Sequence, residues 1–178
     1  GFTHERLNNY TLAIADFTSA ITLKPESADA YAYRGYALQN INDMQAAEAD
    51  FKQVITLDSS NINAYINLGE IERINRRYDV ALEYLDKALQ LNPEHDSEVL
   101  IYAIQGNIYI EQERFQDAVD ILNKAVALDT NEEVTGLRLH RAAAYVGLNE
   151  YDLAKKDFQK WVVLHLDKDE QNPEELTL

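Results

Sequence analysis

Apolar residues recur along the chain at helical spacing, and in the first half of the chain the recurrence has a step of 34 residues. Each series opens with an aromatic residue or methionine, has an alanine three residues later, and has phenylalanine or leucine four residues after the alanine. The alanines of this series are Ala13, Ala47, Ala81, Ala118 and Ala154. Intervals of three and four residues place one apolar stripe on a helix, so each series predicts an amphipathic helix.

A second helical stripe precedes most of these series, and a small residue lies in the middle of it. The small residues are Gly35, Gly69, Gly106 and Ala142. Glycine inside a helix costs about 1 kcal/mol relative to alanine, which close packing of a partner helix can offset. The chain is therefore predicted to consist of repeated helix pairs, each of which buries its apolar side against its neighbours.

The repeat divides the chain into a partial unit at 1–27, units at about 28–61, 62–95, 99–132 and 135–166, and an acidic C-terminal tail at 167–178. The step lengthens to 37 residues after the third alanine and to 36 after the fourth. The extra residues enter around 95–98 and 132–134, where we expect longer first helices or loops. Gly1 aligns with the middle of a first helix, so we expect the protein to begin upstream of it.

Turn and helix-capping residues separate the predicted units. The stretches 24–27 and 58–61 end in Ser27 and Asn61, which favour the position just before a helix. Thr130 and Glu133 have the spacing of a capping box. These signals predict that helices start soon after each of the three stretches.

With these features the chain resembles the tetratricopeptide repeat (TPR) family. The resemblance rests on the aromatic residues that open the first helices, on Leu68-Gly69, on Tyr109, and on Pro25 and Pro93 near the ends of units. It extends to about residue 166. It implies an all-α fold, a right-handed superhelical solenoid of antiparallel helix pairs.

The resemblance also implies where a partner would bind, because in this family the first helices line a concave groove. Carried onto this chain, the groove positions are Phe2, Tyr33, Tyr36, Asn67, Glu70, Arg73, Ile104, Asn107, Glu111, His140 and Ala143. Tyrosine, asparagine and arginine side chains suit an extended peptide, whose backbone they can hydrogen-bond. The alternative is that side chains such as Tyr36 and Asn67 serve only local packing and hydrogen bonding.

Composition narrows the range of partners. The 178-residue chain has a formal net charge of −15, which disfavours nucleic acid and anionic lipid surfaces and suits basic or apolar peptides. Residues 135–168 differ from the rest because they carry six basic and four acidic side chains. A head-to-tail contact between copies would suit this polarity, although ordinary solvated helix faces explain it more simply. No apolar run reaches the ~18 residues that span a bilayer, so membrane insertion is not expected.

No motif predicts catalysis, a cofactor or a metal site. The histidines His4, His95, His140 and His165 are isolated from one another and from any nucleophile or metal-ligand pattern. The chain has no cysteine, which excludes disulfides and thiolate zinc sites and leaves the cell compartment open. Lys155, Lys156 and Lys160 form a basic stripe on the last helix, which we interpret as a solvated face rather than a docking patch.

The last unit departs most from the repeat. Trp161 stands where the other units have alanine or valine, and we interpret it as the C-terminal cap of the array or as an anchor at an interface with another subunit. The sequence as a whole predicts a non-enzymatic scaffold or adaptor that binds a protein or peptide in its concave groove. The alternatives are a structural subunit that associates, also with copies of itself, through the ends of the array, and a TPR module of a larger protein.

Overall fold

Every regular element in the described part of the chain is an α-helix. The computed structural model describes the backbone of residues 2–91, 93–129 and 136–170, and the side chains of these residues except 2–8 and 164–170. The helices are α1 Phe2–Leu23, α2 Ala28–Asn40, α3 Met44–Leu57, α4 Ile62–Ile74, α5 Tyr78–Gln90, α6 His95–Glu111, α7 Phe115–Leu128, α8 Leu137–Gly147 and α9 Tyr151–Glu170. The predicted all-α class is confirmed.

The helices form two compact units, residues 1–93 and 94–178, and each is described by itself. In the first unit, each helix from α1 to α4 packs on the next one along the chain. In the second unit, α6 packs on α7, α7 on α8 and α8 on α9, and α6 also contacts α8. None of the described helices is both long and apolar enough to cross a membrane.

The mid-helix glycines are positions where two helices approach closely. A Cβ atom at Gly69 would lie 2.7 Å from Cγ of Leu85, and a Cβ atom at Gly106 would lie 2.5 Å from Cγ of Leu122. Both leucines are 0% exposed. Because carbon atoms pack at about 3.5–4.0 Å, neither site has room for a side chain. The predicted close approach of a partner helix at these glycines is confirmed.

Helix α1 differs from the pattern of the other units. It runs without interruption from Phe2 to Leu23, although the repeat places Gly1 in the middle of a first helix and Tyr10 at the start of a second. The side chain of Phe2 lies outside the described ones, so its place in the groove stays a prediction. The residues just before Tyr10 thus keep their intrahelical hydrogen bonds instead of forming a turn.

The irregular steps of the repeat correspond to changes in helix length where the structure describes them. Helix α6 has 17 residues, whereas α2 and α4 have 13 each, so the extra residues around 95–98 lengthen a first helix, as expected. The second insertion, around 132–134, lies outside the described residues. The backbone of 167–170, which the repeat assigns to the tail, continues α9, and 171–178 lie outside the described residues. The unit boundaries otherwise stay a prediction.

Capping at the unit junctions follows the turn signals. The side chain of Ser27 accepts a hydrogen bond from the backbone N–H of Ala30 at the start of α2 (3.4 Å), and Asn61 does the same for Ala64 in α4 (3.0 Å). Both predicted caps are confirmed, whereas the predicted capping box at 130–133 lies outside the described residues. The turn inside each helix pair contains a residue with positive φ. These residues are Asn42, Arg76, Glu113 and Asn149.

An ion pair links three helices in the first unit. Arg34 of α2 donates through Nε and Nη2 to both carboxylate oxygens of Asp50 in α3, each at 2.7 Å. Its third nitrogen, Nη1, donates to Oγ1 of Thr18 in α1 at 3.2 Å. The hydrogen bond to Asp50 raises the pKa of the Arg34 guanidinium above its ordinary value. The charged form is thus favoured in this partly buried position.

The same arrangement recurs in the second unit at the same positions of the repeat. Arg141 of α8 donates to both carboxylate oxygens of Asp157 in α9 at 2.7 and 2.6 Å, and Nη1 donates to Asn123 of α7 at 2.8 Å. The hydrogen bond to Asp157 likewise raises the pKa of Arg141. Asp157 is 5% exposed, so the pair is largely removed from water. Each arginine therefore connects its own helix to the helices before and after it.

Candidate functional site

Five of the predicted groove residues lie in the first unit, on its two complete first helices. Tyr33 and Tyr36 are three residues apart on α2, and Asn67, Glu70 and Arg73 follow one another at intervals of three on α4. These spacings place each set on one side of its helix. We call the surface that these five side chains form the α2–α4 face.

The tyrosines of the α2–α4 face present ring area and a hydroxyl group. Tyr33 is 57% exposed and stacks on Phe17 of α1, with ring centroids 5.5 Å apart and planes at 19°. Tyr36 is half-buried and meets Phe51 edge-on, with centroids 5.3 Å apart. Burial raises the pKa of the Tyr36 hydroxyl above its ordinary value, so the group stays protonated at neutral pH. The hydroxyl can therefore donate a hydrogen bond to a carbonyl oxygen.

Asn67 joins the two helices of this face. Its Nδ2 group donates to the backbone carbonyl of Asn63 at 2.7 Å and to the Tyr36 hydroxyl at 3.4 Å. The second distance is long for a hydrogen bond, so the contact is weak. Tyr36 and Asn67 thus lie next to each other while both remain partly exposed. The structure brings together a hydroxyl and an amide that are 31 residues apart in sequence.

Glu70 and Arg73 compensate each other's charge. Arg73 donates to both carboxylate oxygens of Glu70, at 2.8 and 2.7 Å, in a bidentate pair three residues apart on α4. Bidentate pairs hold their geometry better than single contacts. The α2–α4 face therefore carries no net charge from these two residues, and its distinctive groups are aromatic rings, a hydroxyl and an amide.

The predicted groove residues of the second unit differ from one another in exposure. Asn107 on α6 is partly buried, Glu111 is exposed, and Ile104 is only 7% exposed. On α8, His140 lies over Gly136, where a Cβ atom would be 3.7 Å from Cε1 of the ring. Ile104 therefore offers little surface to a partner. Ala143, the remaining predicted position, is exposed on α8.

Trp161 lies beside another aromatic ring near the C-terminal end of the described chain. Its ring and that of Phe158 are stacked, with centroids 6.0 Å apart and planes at 28°. Trp161 is partly buried, whereas Phe158 is 51% exposed. The two rings form an aromatic patch on α9.

The three lysines of the basic stripe predicted on α9 do not share one environment. Lys156 and Lys160 line a cavity between α8 and α9, whereas Lys155 does not. The other basic residues of this cavity are Arg138 and Arg141 on α8, neither of which is predicted from the sequence to belong to a basic site. Their spacing of three residues was the available signal, because it places both on one side of a helix.

The described residues include no cluster of three or more histidine, aspartate or glutamate side chains that could hold a metal ion. The Nε2 atom of His95 lies 2.7 Å from the backbone oxygen of Leu128. The side chains of His4 and His165 lie outside the described ones.

Comparisons with known proteins agree with this architecture. Family models of the tetratricopeptide repeat match residues 3–62 and 60–131. No curated protein sequence matches the chain significantly.

Solved structures with a similar backbone cover most of the chain. The segment of MamA from residue 41 to the end, from Desulfovibrio magneticus RS-1, has a TM-score of 0.79 and 21% identity, covering 94% of this chain and 93% of that one. The PilF protein of Pseudomonas aeruginosa has a TM-score of 0.74 and 18% identity, covering 91% and 78%. YrrB, described as a TPR protein with an unusual peptide-binding site, has a TM-score of 0.67 and 25% identity, covering 88% and 75%. The chain belongs to the tetratricopeptide repeat family.

Proposed function

We propose that this protein is a non-enzymatic scaffold that binds a peptide segment of a protein partner on the α2–α4 face. The observation that carries the proposal is the pairing of Tyr36 with Asn67, beside the exposed ring of Tyr33. The similarity to YrrB, a peptide-binding TPR protein, supports the same class of ligand.

The chemistry of the face suits an extended peptide. The carboxamide oxygen of Asn67 can accept a hydrogen bond from a peptide N–H, and its Nδ2 group can turn to a ligand carbonyl by giving up the long contact with Tyr36. The Tyr36 hydroxyl can donate to another carbonyl of the ligand. The ring of Tyr33 can cover an apolar side chain at low cost in conformational entropy. Since the charges of Glu70 and Arg73 neutralise each other, the α2–α4 face by itself has little preference for ligands of either charge. The net charge of −15 adds a long-range preference for basic over acidic ligands.

We expect the double variant Tyr36→Ala with Asn67→Ala to weaken peptide binding by about 2 kcal/mol or more, as the loss of central contacts does in other interfaces. Peptides would first be selected from a random displayed library against the unaltered chain. Their affinities for the chain and the variant would then be compared by calorimetric titration. The single variant Tyr36→Phe keeps the ring against Phe51 and removes only the hydroxyl, so it separates binding from packing.

A matched control is available in the second unit. Tyr151 and Asn149 are also hydrogen-bonded to each other, at 2.9 Å, and lie exposed. Tyr151→Ala with Asn149→Gly removes the same two side chains, and glycine suits the positive φ of 61° at position 149. This control should bind selected peptides like the unaltered chain. If the variant Tyr36→Ala with Asn67→Ala binds the peptides as tightly as the unaltered chain, the peptide site is not on the α2–α4 face.

A second candidate function is assembly through the C-terminal end of the array. The observation in its favour is the exposure of Phe158, which is 51%. At the same repeat position, Phe51, Leu85 and Leu122 are 0% exposed and Phe17 in α1 is partly buried. Exposed aromatic residues of this kind are common at protein interfaces.

This candidate predicts that the mass measured by light scattering rises with protein concentration and that Trp161→Ala, which removes the ring stacked on Phe158, reverses the rise. Val80→Ala is the control, because Val80 is an exposed apolar residue (38%) on α5, which belongs to the first unit and not to this patch. A constant monomer mass at all concentrations would rule the candidate out.

A further inference from the structure

A cavity of about 580 Å³ lies between α8 and α9, within the range of about 300–1,000 Å³ that is typical of ligand sites. Four basic side chains line it, Arg138 and Arg141 from α8 and Lys156 and Lys160 from α9. The spacings 138–141 and 156–160 bring each pair to one side of its helix. This concentration of positive charge stands out in a chain with a formal net charge of −15.

The only carboxylate that lines the cavity among the described residues is already neutralised. Asp157 accepts two hydrogen bonds from Arg141 and lies 3.8 Å from Nη1 of Arg138. Because Arg141 also donates to Asn123, its donors are used within the protein. With one carboxylate against four basic side chains, the described lining of the cavity has an excess of three positive charges.

The cavity also has apolar walls. Leu153 and Val163 on α9 are 43% and 51% exposed, and the ring of Tyr145 on α8 lines the opposite side. Exposed aliphatic side chains beside lysines can bury an aliphatic group while the lysine ammonium groups meet a carboxylate. A ligand that fits must combine negative charge with aliphatic side chains.

A cavity of similar size in the first unit provides a contrast. It has a volume of about 650 Å³ and is lined in part by Lys52 and Arg77. The carboxylate of Glu48 also lines that cavity and lies 2.6 Å from Lys52 and 3.1 Å from Arg77. Its described lining thus has an excess of one positive charge, against three between α8 and α9, so charge rather than size distinguishes the two.

We propose that the cavity between α8 and α9 is a docking site for an acidic, aliphatic peptide segment of a protein partner, in which glutamate or aspartate alternates with leucine, isoleucine or valine. Carboxylates of the segment would meet Lys156, Lys160 and Arg138, and its aliphatic side chains would pack on Leu153, Val163 and Tyr145. This site is separate from the α2–α4 face and does not depend on it. It would bind an acidic ligand, whereas the net charge of the whole protein favours basic ligands.

The test uses a fluorescein-labelled hexapeptide of alternating glutamate and leucine, titrated into the full chain and followed by fluorescence anisotropy. We expect saturable binding that weakens as salt is added, because the contacts are partly exposed. Three matched hexapeptides replace glutamate with glutamine, glutamate with lysine, or leucine with serine, and each should bind about tenfold more weakly or not at all. Equal binding of the glutamine peptide would overturn the proposal.

The variant Lys156→Glu with Lys160→Glu should weaken binding of the acidic hexapeptide by about tenfold or more. Its matched control is Lys155→Glu with Lys87→Glu, which changes the net charge equally but alters exposed residues outside the cavity. The control should weaken binding much less than the cavity variant does, because neither of its side chains lines the cavity and exposed charges are screened by salt. If both variants weaken binding equally, the peptide responds only to overall charge and the proposed site is wrong. Lys156→Gln with Lys160→Gln repeats the test without charge reversal.

Two other occupants would give distinct results, and either would contradict the proposal. If a second copy of the chain occupies the cavity, light scattering should show association that Lys156→Glu with Lys160→Glu abolishes. If the acidic residues at 171–178 occupy it, the hexapeptide should bind only after those residues are removed. The variant Tyr36→Ala with Asn67→Ala tests the α2–α4 face separately. It should weaken binding of the library-selected peptides and leave binding of the acidic hexapeptide unchanged.

Discussion

Replacing Asp157 with alanine is expected to lower the free energy of unfolding by about 3–5 kcal/mol. The side chains of Arg141 and Asp157 are 15% and 7% exposed, and two short hydrogen bonds join them. Without Asp157, the Arg141 charge stays in a largely dry position and lies near Arg138, which also loses its contact with the carboxylate. An uncompensated charge of this kind is among the largest destabilising effects of a single substitution.

Two comparisons test this explanation by urea denaturation followed by circular dichroism. Asp117→Ala breaks the exposed pair with Arg114, in which both side chains are about half exposed, and should cost no more than about 1 kcal/mol. Arg141→Leu with Asp157→Ile removes both charges and introduces residues that other units carry there, Leu68 and Ile121. The double variant should regain most of the lost stability. If it is as unstable as Asp157→Ala, packing rather than charge explains the loss.

Replacing Gly106 with leucine is expected to destabilise the second unit by about 3 kcal/mol or more. A Cβ atom at this position would already lie 2.5 Å from Cγ of Leu122, which is a branch point of a fully buried side chain. The added atoms must push α6 and α7 apart, because the interior has no empty volume to receive them. Thermal denaturation and hydrogen exchange of α6 and α7 would measure the effect.

Substitutions at other positions separate this packing effect from helix propensity. Ala127→Leu places leucine on the exposed side of α7 and should change stability by less than about 0.5 kcal/mol. Gly35→Ala should be much milder than Gly106→Ala, because the Cβ atom would lie 3.0 Å from the tip of the Phe51 ring, which needs to move only slightly. If Gly35→Ala and Gly106→Ala lower the free energy of unfolding equally, the separation of α6 from α7 does not explain the loss of stability at position 106.

The helix pairs could be predicted from the sequence because small and large apolar residues repeat together. Gly69 and Leu85, for example, are separated by a fixed interval that other units share, so the pattern itself indicates a helix contact. The uninterrupted α1 was not predicted. In the other units the turn depends on a residue with positive φ, and two of these residues are Arg76 and Glu113, which have no special preference for that conformation. Nothing local in the sequence therefore distinguishes a turn from a continuing helix.

The candidate sites could be predicted only in part. The repeat correctly placed Tyr36 and Asn67 on first helices, but their contact depends on how α2 and α4 are arranged, which the spacing does not specify. Ile104 was selected by the same rule and is almost fully buried, because periodicity does not reveal which sides of a helix are covered. The paired arginines Arg34 and Arg141 were missed because their partners are 16 residues away, on the following helix.

Nuclear magnetic resonance of the isotope-labelled chain, titrated with a selected peptide, shows directly whether a peptide binds on the α2–α4 face. We expect the amide resonances of α2 and α4 to shift most, with the largest changes around Tyr33, Tyr36, Asn67 and Glu70. Side-chain amide resonances of Asn67 should shift with them, because this group lies at the centre of the face. Shifts confined to other helices, with those of α2 and α4 unchanged at saturation, would contradict binding on this face.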